Sequence, residues 1–557
     1  MISVISTNII SPLGFTTAQN YQAVLSGASA LMRYEGLWGL PEPFAASLFS
    51  EEQRAELAIE GHTLFEAIAI RSVREALSHV QLDVASPKVI LILSTTKGNV
   101  EQSPTLAAQT IAKALGVSTT PIVVCNACVS GLSAQLLANH LLSAGLYDYA
   151  IVVGAEVQGK FIVSGFQSLK AVSDEPCRPF DIERIGLNPG EAAATIVFGK
   201  MVNGQAMLDG RRESQWSMVN GAVCNDAYHI SSPSPQGEGL TNAINAALSG
   251  WDKSQLATVC VHGTATLYND QMESKAIERT GLTDIPLSAF KGYYGHTMGA
   301  AGVLETILTM CATDDGIVLP SKGFTEIGVS GKVSISSERQ QTSKTSFLKL
   351  LSGFGGNNVA ALFSKRTEFQ AEKARPDATA SMNRFHKTHT VRLSSKYGKS
   401  LTDIYKEEIG NYPKYYKMDI LTRLAFVAAE LLIKKNPSLP SSEEELGAIL
   451  FNHSSSIVAD HTYLSTISDE DNFFPSPSAF VYTLPNITTG EIAIRHHIQG
   501  ETSFYILPEK DEALMLEILE ASLRGTKGTS VISGWVDAET ETDFECELSI
   551  YEIATAP

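Results

Sequence analysis

The chain has no excess of positive charge: 42 Lys and Arg stand against 60 Asp and Glu, for a net charge of −18. That balance argues against nucleic acid as a bulk electrostatic partner. No apolar run approaches the ~18–20 residues needed to cross a bilayer, so no membrane span is expected. The seven cysteines are irregularly spaced and form neither a disulfide framework nor paired Cys-x-x-Cys zinc signatures. Such usage suits a reducing, cytoplasmic location. The first residues, Met1-Ile2-Ser3-Val4-Ile5-Ser6, lack a basic segment and run straight into an alternating strand pattern, so no signal peptide is expected. What remains is an ordinary globular composition, 44% hydrophobic and 18% charged. At 557 residues there is room for two or more domains with sizeable cores.

The most informative stretch is Cys125-Asn126-Ala127-Cys128-Val129-Ser130-Gly131. The β-branched run Ile122-Val123-Val124 precedes it, and Leu132 to His140 follows with the apolar spacing of a helix. A strand, a tight small-residue turn and a helix are expected, with Cys128 at the turn. A thiol at a helix N-terminus meets unpaired backbone N–H groups that favour thiolate. The window alone leaves two readings open, a nucleophile and a buried structural cysteine.

Other windows repeat the strand-then-turn theme. Residues 2–10 read as a strand broken by Ser11-Pro12-Leu13-Gly14, a helix is expected near 61–80, and Val89–Leu93 is a strand buried on both faces. A second buried strand covers Tyr149–Gly154, and Arg178-Pro179-Phe180-Asp181 precedes another at 195–198. The alternation restarts near 216, giving α/β architecture. Strand 258–261 delivers His262-Gly263-Thr264-Ala265-Thr266, and Lys291-Gly292-Tyr293-Tyr294-Gly295-His296 leads to a helix starting near Gly299-Ala300-Ala301-Gly302. The turn Gly353-Phe354-Gly355-Gly356-Asn357-Asn358 precedes strand 359–363.

One cysteine at an elbow, two histidines beyond apolar strands and a lysine five residues before the second histidine resemble the β-ketoacyl synthases, over residues 1 to about 365. The resemblance implies a thiolase-like fold: two pseudo-repeated halves (about 1–210 and 211–365) in a layered αβαβα arrangement, usually dimeric. It implies decarboxylative condensation of an acyl thioester with malonyl-acyl carrier protein. On that resemblance Cys128 is the nucleophile, His262 and His296 stabilise the enolate, and Lys291 orients or tunes the pair. The amides of Cys128 and Phe354 would form an oxyanion hole, and Phe354, hinged beside Gly355, would gate the acyl pocket. Thr264 and Thr266 would bind phosphopantetheine, which arrives on the carrier protein. No cofactor and no metal are otherwise expected. Glu273 is expected to pair internally rather than hold a cation. Asp226 and His229 resemble a segment lining the approach, with a plain loop role equally open, and Cys125 reads as packing. Ala265 and Asn357-Asn358 depart from the usual glycine and Thr-Asn. The loop at Phe354 lacks the second cysteine of thiolases, which disfavours thiolytic cleavage.

Residues 366–390 are polar and aperiodic and read as a linker. Residues 391–557 echo the first half. A helix is expected at 419–433, Gly447–Phe451 matches Val89–Leu93, Thr488–Ile494 is a helix, and Val531–Val536 matches Ile151–Glu156. On this register the position of Cys128 falls near Glu509, so the unit is degenerate. Tyr482-Thr483-Leu484-Pro485-Asn486, Gly490–Arg495 and Gly534-Trp535-Val536 resemble small ketosynthase-like proteins of aryl polyene and flexirubin pathways. His496 and His497 point ~100° apart on a helix, which favours structural roles over metal binding. Two functions are carried forward: an active synthase with a fused non-catalytic unit, and a chain-length-factor-like partner of another synthase. Homodimer and heterodimer with a ketosynthase-like subunit are both expected possibilities.

Overall fold

The computed structural model of the protein describes residues 2–200, 216–365, 385–436, 439, 445–469, 471–523, 528–540 and 542–553. Among the described residues one sheet of sixteen strands runs through the molecule, built from three copies of a five-stranded unit. The first unit holds β1 (Ile2–Ile10), β2 (Val89–Ser94), β3 (Ile122–Val124), β4 (Tyr149–Glu156) and β5 (Ala192–Lys200). The second holds β6 (Trp216–Asn225), β7 (Leu256–Cys260), β8 (Pro286–Ser288), β10 (Ser346–Gly353) and β11 (Asn357–Lys365), with the short β9 (Ser334–Ile335) at its edge. The third holds β12 (Phe385–Ser394), β13 (Leu446–Asn452), β14 (Thr502–Ile506), β15 (Ser530–Thr540) and β16 (Asp543–Ile553).

Each unit orders its strands first, fifth, fourth, second, third. The first-to-fifth and fifth-to-fourth pairs are antiparallel. The fourth-to-second and second-to-third pairs are parallel. The expected echo of the first half at the C-terminal end is therefore present strand for strand. Units one and two join through β1 and β6, and units one and three through antiparallel β3 and β14, where Val124 faces Tyr505 and Val123 faces Ile506.

Helices cover both faces. On the inner face lie α2 (Ser130–Ala144), α5 (Ala301–Asp314) and α10 (Glu512–Ser522), in one apolar core with Ile90, Ile449 and Tyr505. On the outer face, α1 (Leu64–Leu77), α6 (Ile420–Lys434) and α9 (Ile487–His496) pack in a second core shared by the first and third units. Capping explains several starts: Thr63 and Glu66 form a capping box for α1, and Asp419 accepts the amides of Leu421 and Thr422. Remaining helices that matter for the site are α3 (Lys160–Ser168), α4 (Leu267–Arg279), α7 (Ile457–Ser465) and α8 (Pro477–Tyr482). The last two were not expected from the sequence.

Three expectations change. Strand β12 begins at Phe385, inside the segment read as linker; residues 366–384 of that segment, and the boundary near 210, lie outside the described residues. The run His386-Lys387-Thr388-His389 looks unstructured because it forms a sheet edge, where polar side chains are favoured. The match of Val531 to Ile151 slips by two. Gly447 pairs with Val531 where its counterpart Val89 pairs with Tyr149. A two-residue slip preserves the face each side chain points to, so alternation cannot detect it. The counterpart of Cys128 is Lys510, one residue beyond Glu509: each lies four residues past its strand and two before its helix.

Candidate active site

The elbow is held from both sides. Ala127 adopts φ +49°, a left-handed conformation that a non-glycine residue enters only at a cost, and it turns the chain sharply from β3 into α2. Ser130 Oγ accepts the Asn126 amide at 2.8 Å and donates to the Ala127 carbonyl at 2.6 Å. From the third unit, the Phe504 amide donates to Asn126 Oδ1 at 2.7 Å. A Cβ at Gly131 would lie 2.7 Å from the Gly299 carbonyl, so glycine is what lets α2 and the start of α5 approach. Cys128 is part-exposed at this turn, whereas Cys125 is buried with its Sγ 3.2 Å from the Thr96 carbonyl, as expected of packing.

The packing around the elbow opposes the expected bias toward thiolate. Burial pushes the Cys128 thiol up to about 12, and the positive charge of Lys291 acts the other way.

His262 follows β7, and His296 lies at the end of the Lys291–Tyr294 turn. Their rings meet edge to face with centroids 5.1 Å apart. Cys128 Sγ and one ring nitrogen of each histidine all fall within 4.8 Å of one another. Burial, with Lys291 and Lys349 nearby, holds both imidazoles well below the ordinary histidine range, so both are neutral. The Met298 amide donates to His296 Nδ1 at 3.3 Å, which leaves the ring proton on Nε2, and that nitrogen has no partner among the described residues. His262 Nδ1 is also buried without a partner among the described residues. A thiol and two neutral imidazoles at this spacing can receive an electrophilic carbonyl and donate to an oxygen that becomes negative. The same three groups also have the proximity a metal ion would need.

The backbone carrying His262 is clamped. Glu273, on α4, accepts the amides of His262 and Gly263 at 2.6 and 2.9 Å, so it pairs internally, with backbone rather than a cation. Lys291 Nζ donates to the His262 carbonyl at 2.6 Å and to Glu305 Oε1 at 2.8 Å. The other oxygen, Glu305 Oε2, accepts from Lys349 at 2.6 Å. Sequence reading missed Glu305 and Lys349. The signal was a lysine inside the apolar strand Phe347-Leu348-Lys349-Leu350-Leu351 and a glutamate inside the buried helix α5.

Phe354 is half-buried beside the elbow: a Cβ at Gly353 would lie 3.3 Å from the Cys128 amide nitrogen. Gly355 and Gly356 take φ +87° and +77°, so the loop requires glycine there. Asn486, from the third unit, donates to the Phe354 carbonyl at 2.7 Å. Thr264 and Thr266 hydroxyls lie 2.9 Å apart just past His262, and Ala265 between them takes φ +61°, where glycine would be unstrained. Asp226 is buried against the amides of Ser234 and Gly239 and the side chain of Asn358, while His229 is exposed. His496 pairs with Glu430 at 2.8 Å, a structural role.

A cluster of aromatics stands next to Cys128 and Phe354. Phe161 and Phe166 of α3 meet Tyr463 of α7 and Phe480 of α8. The Phe480 ring is so close to α3 that a Cβ at Gly165 would overlap it, at 2.2 Å. Beneath this cluster Lys97 is buried against Asp460, the Ser456 hydroxyl and the Thr483 carbonyl.

Comparison with known proteins agrees with this geometry. Residues 78–201 match the family model described as "Beta-ketoacyl synthase, N-terminal domain", and residues 217–325 the one described as "Beta-ketoacyl synthase, C-terminal domain". The chain is 32% identical over 257 residues to 3-oxoacyl-[acyl-carrier-protein] synthase 2 of Mycobacterium leprae, covering 43% of this chain and 59% of that protein. With the enzyme of the same name from Staphylococcus aureus (strain COL) it shares 25% over 405 residues, 64% of this chain and 96% of that one. The structure described as "PfaC Keto synthase-Chain length factor" superposes with a TM-score of 0.79 at 13% identity, covering 99% of this chain and 78% of that chain. The ketosynthase ApeO of Xenorhabdus doucetiae, solved with its chain length factor ApeC, gives 0.55 at 21% identity, covering 65% of this chain and 98% of that chain. Among the described residues no helix is long and apolar enough to cross a membrane. The two matches, to the N- and C-terminal domain models of the β-ketoacyl synthases, follow one another in sequence order, and the elbow thiol and the two neutral imidazoles lie within them.

Proposed function

We propose that this protein condenses an acyl thioester with a malonyl thioester, both delivered on acyl carrier protein, with loss of carbon dioxide. The observation that carries the reading is the convergence of Cys128, His262 and His296, with two buried ring nitrogens left unpartnered among the described residues. In the first half-reaction Cys128 Sγ attacks the acyl carbonyl, and the carrier's pantetheine sulfur leaves and takes a proton. In this reading the amides of Cys128 and Phe354 receive the oxyanion, and Thr264 and Thr266 hold the pantetheine arm. In the second, the malonyl carboxylate departs as carbon dioxide and its bonding pair becomes an enolate, whose oxygen accepts from His262 and His296. The enolate carbon attacks the acyl carbonyl, and the C–S bond breaks to return the cysteine.

The third unit, in this reading, is a non-catalytic, degenerate ketosynthase-like unit of the aryl polyene type, acting as a built-in chain length factor. Support comes from Lys510 in place of the nucleophile, from Asn126 and Phe354 held by its Phe504 and Asn486, and from Tyr463 and Phe480 beside the pocket. The second reading, a non-elongating partner of another synthase, is disfavoured for residues 1–365 by the intact cysteine and histidines.

Intact-protein mass spectrometry after incubation with an acyl-carrier thioester tests the reading. One acyl adduct is expected on the parental chain, none on Cys128→Ala, and a normal adduct on Cys125→Ala. An adduct that survives loss of Cys128 would overturn the assignment.

A further inference from the structure

Two buried lysines stand behind the histidine pair, and the second has no place in the reaction described so far. Lys349 lies on β10 between Leu348 and Leu350 and is fully buried. Its Nζ donates to Glu305 Oε2 at 2.6 Å and to the carbonyls of Val261 and Cys260 at 3.3 and 3.4 Å. Lys291 takes the other oxygen of the same carboxylate and the carbonyl of His262. Three consecutive carbonyls at the end of β7 are thus capped by two ammonium groups that share one anion. An apolar side chain at 349 would cost the fold nothing in desolvation, whereas a buried ammonium is expensive unless it is paired.

The charges do not cancel. Lys291 and Lys349 contribute two positive charges and Glu305 one negative. Glu273, the next carboxyl, spends its oxygens on the amides of His262 and Gly263, and burial raises it to about 7, so it does not supply a full balancing charge at neutral pH.

We propose that Lys349 is a positioning residue of this site: with Lys291 it straddles Glu305, fixes the strand end that presents His262, and leaves a surplus of positive charge to offset the enolate formed on loss of carbon dioxide. The inference rests on the decarboxylating function above. Acyl transfer to Cys128 forms no enolate and draws on the amides of Cys128 and Phe354, so the two half-reactions separate the role.

The experiment uses the full chain and measures carbon dioxide release from malonyl-carrier thioester, with Cys128 acylation by mass spectrometry as the second readout. Lys349→Met removes the surplus. Decarboxylation kcat is expected to fall on the order of tenfold, less than the loss of a direct oxyanion donor, with KM for the malonyl substrate and acylation retained. The double variant Lys349→Met/Glu305→Gln leaves Lys291 as the lone charge and restores the surplus, so its decarboxylation is expected to recover toward the parental rate. Lys349→Gln keeps N–H donors for the strand-end carbonyls but not the charge, and it serves if the Met variant does not fold; the same loss is expected. A single variant that decarboxylates at the parental rate overturns the inference. So does a double variant no faster than Lys349→Met. If the parental chain released no carbon dioxide, the decarboxylating function itself would fail, independently of Lys349.

Discussion

The first and third units present the same local structure to opposite ends. In each, a short buried strand leads through a five-residue elbow to a helix packed on the inner face, and the two strands pair with one another across the middle of the sheet. One elbow holds Cys128 and the other Lys510, which is exposed and 3.1 Å from Glu547. The difference goes beyond the residue at the turn. Beside the first unit stands the second, whose loops bring His262 and His296 to the thiol. Among the described residues no comparable unit flanks the third. The elbow is thus a product of the fold, while the chemistry belongs to a pair of units. The third unit covers apolar surface of the first that would otherwise be exposed, and its Phe504 and Asn486 hydrogen-bond to Asn126 and Phe354.

The sharpest break of the comparison is at the histidines. His262→Ala or His296→Ala should lower malonyl decarboxylation by about 10²–10³-fold while Cys128 is still acylated. The complementary change, Lys510→Cys, should acquire no acyl group, since a thiol there faces no histidine pair; mass spectrometry reads both. Next comes the seam between the units. Lys97→Met strands Asp460 in a buried site, and the loss of one member of such a pair costs about 3–5 kcal/mol. Urea unfolding should show that loss with the decarboxylation chemistry of the remaining folded protein intact. A smaller and more selective effect is expected from Phe480→Ala. Removing the ring that lies on Gly165 opens space beside Phe166 and Phe354, and the product profile, read by mass spectrometry, should shift to longer chains. An unchanged profile would separate the third unit from length control.

The smallest effect is electrostatic. Burial raises the Glu501 carboxyl, on the third unit, from 4.5 to about 8, with the Ser503 hydroxyl as an opposing hydrogen bond. A carboxyl whose folded value is raised contributes stability that is present below about 4.5 and is lost as pH rises through about 8. Glu501→Gln should therefore raise Tm relative to the parent at pH 8–9, by about 1 °C per kcal/mol recovered in a cooperative unit of this length, with no gain below pH 4.5. A gain that is independent of pH would point to packing instead.

Much of this molecule is legible in order along the chain. The β-branched runs at 89–93, 122–124 and 149–154 are strands because buried parallel strands need apolar side chains on both faces, and the elbow announces itself by small residues between such a run and a helical period. Cys128, His262, His296 and Lys291 could be named because each sits in a distinctive local window. What the tertiary structure alone decided are the partners. Lys349 and Glu305 are each anomalous in an apolar stretch, but only the packing of α5 against the strand end brings them together with Lys291. Lys97 and Asp460 are 363 residues apart, and neither window hints at the other. The two-residue slip of the fourth strand and the edge strand hidden in an expected linker were also invisible, since hydrophobic alternation reports which face a residue occupies and not which neighbour it meets. Burial also opposes the local electrostatics at the elbow. A helix N-terminus favours a thiolate, desolvation in the assembled site works against it, and desolvation is a property of everything packed around a residue rather than of its place in the chain.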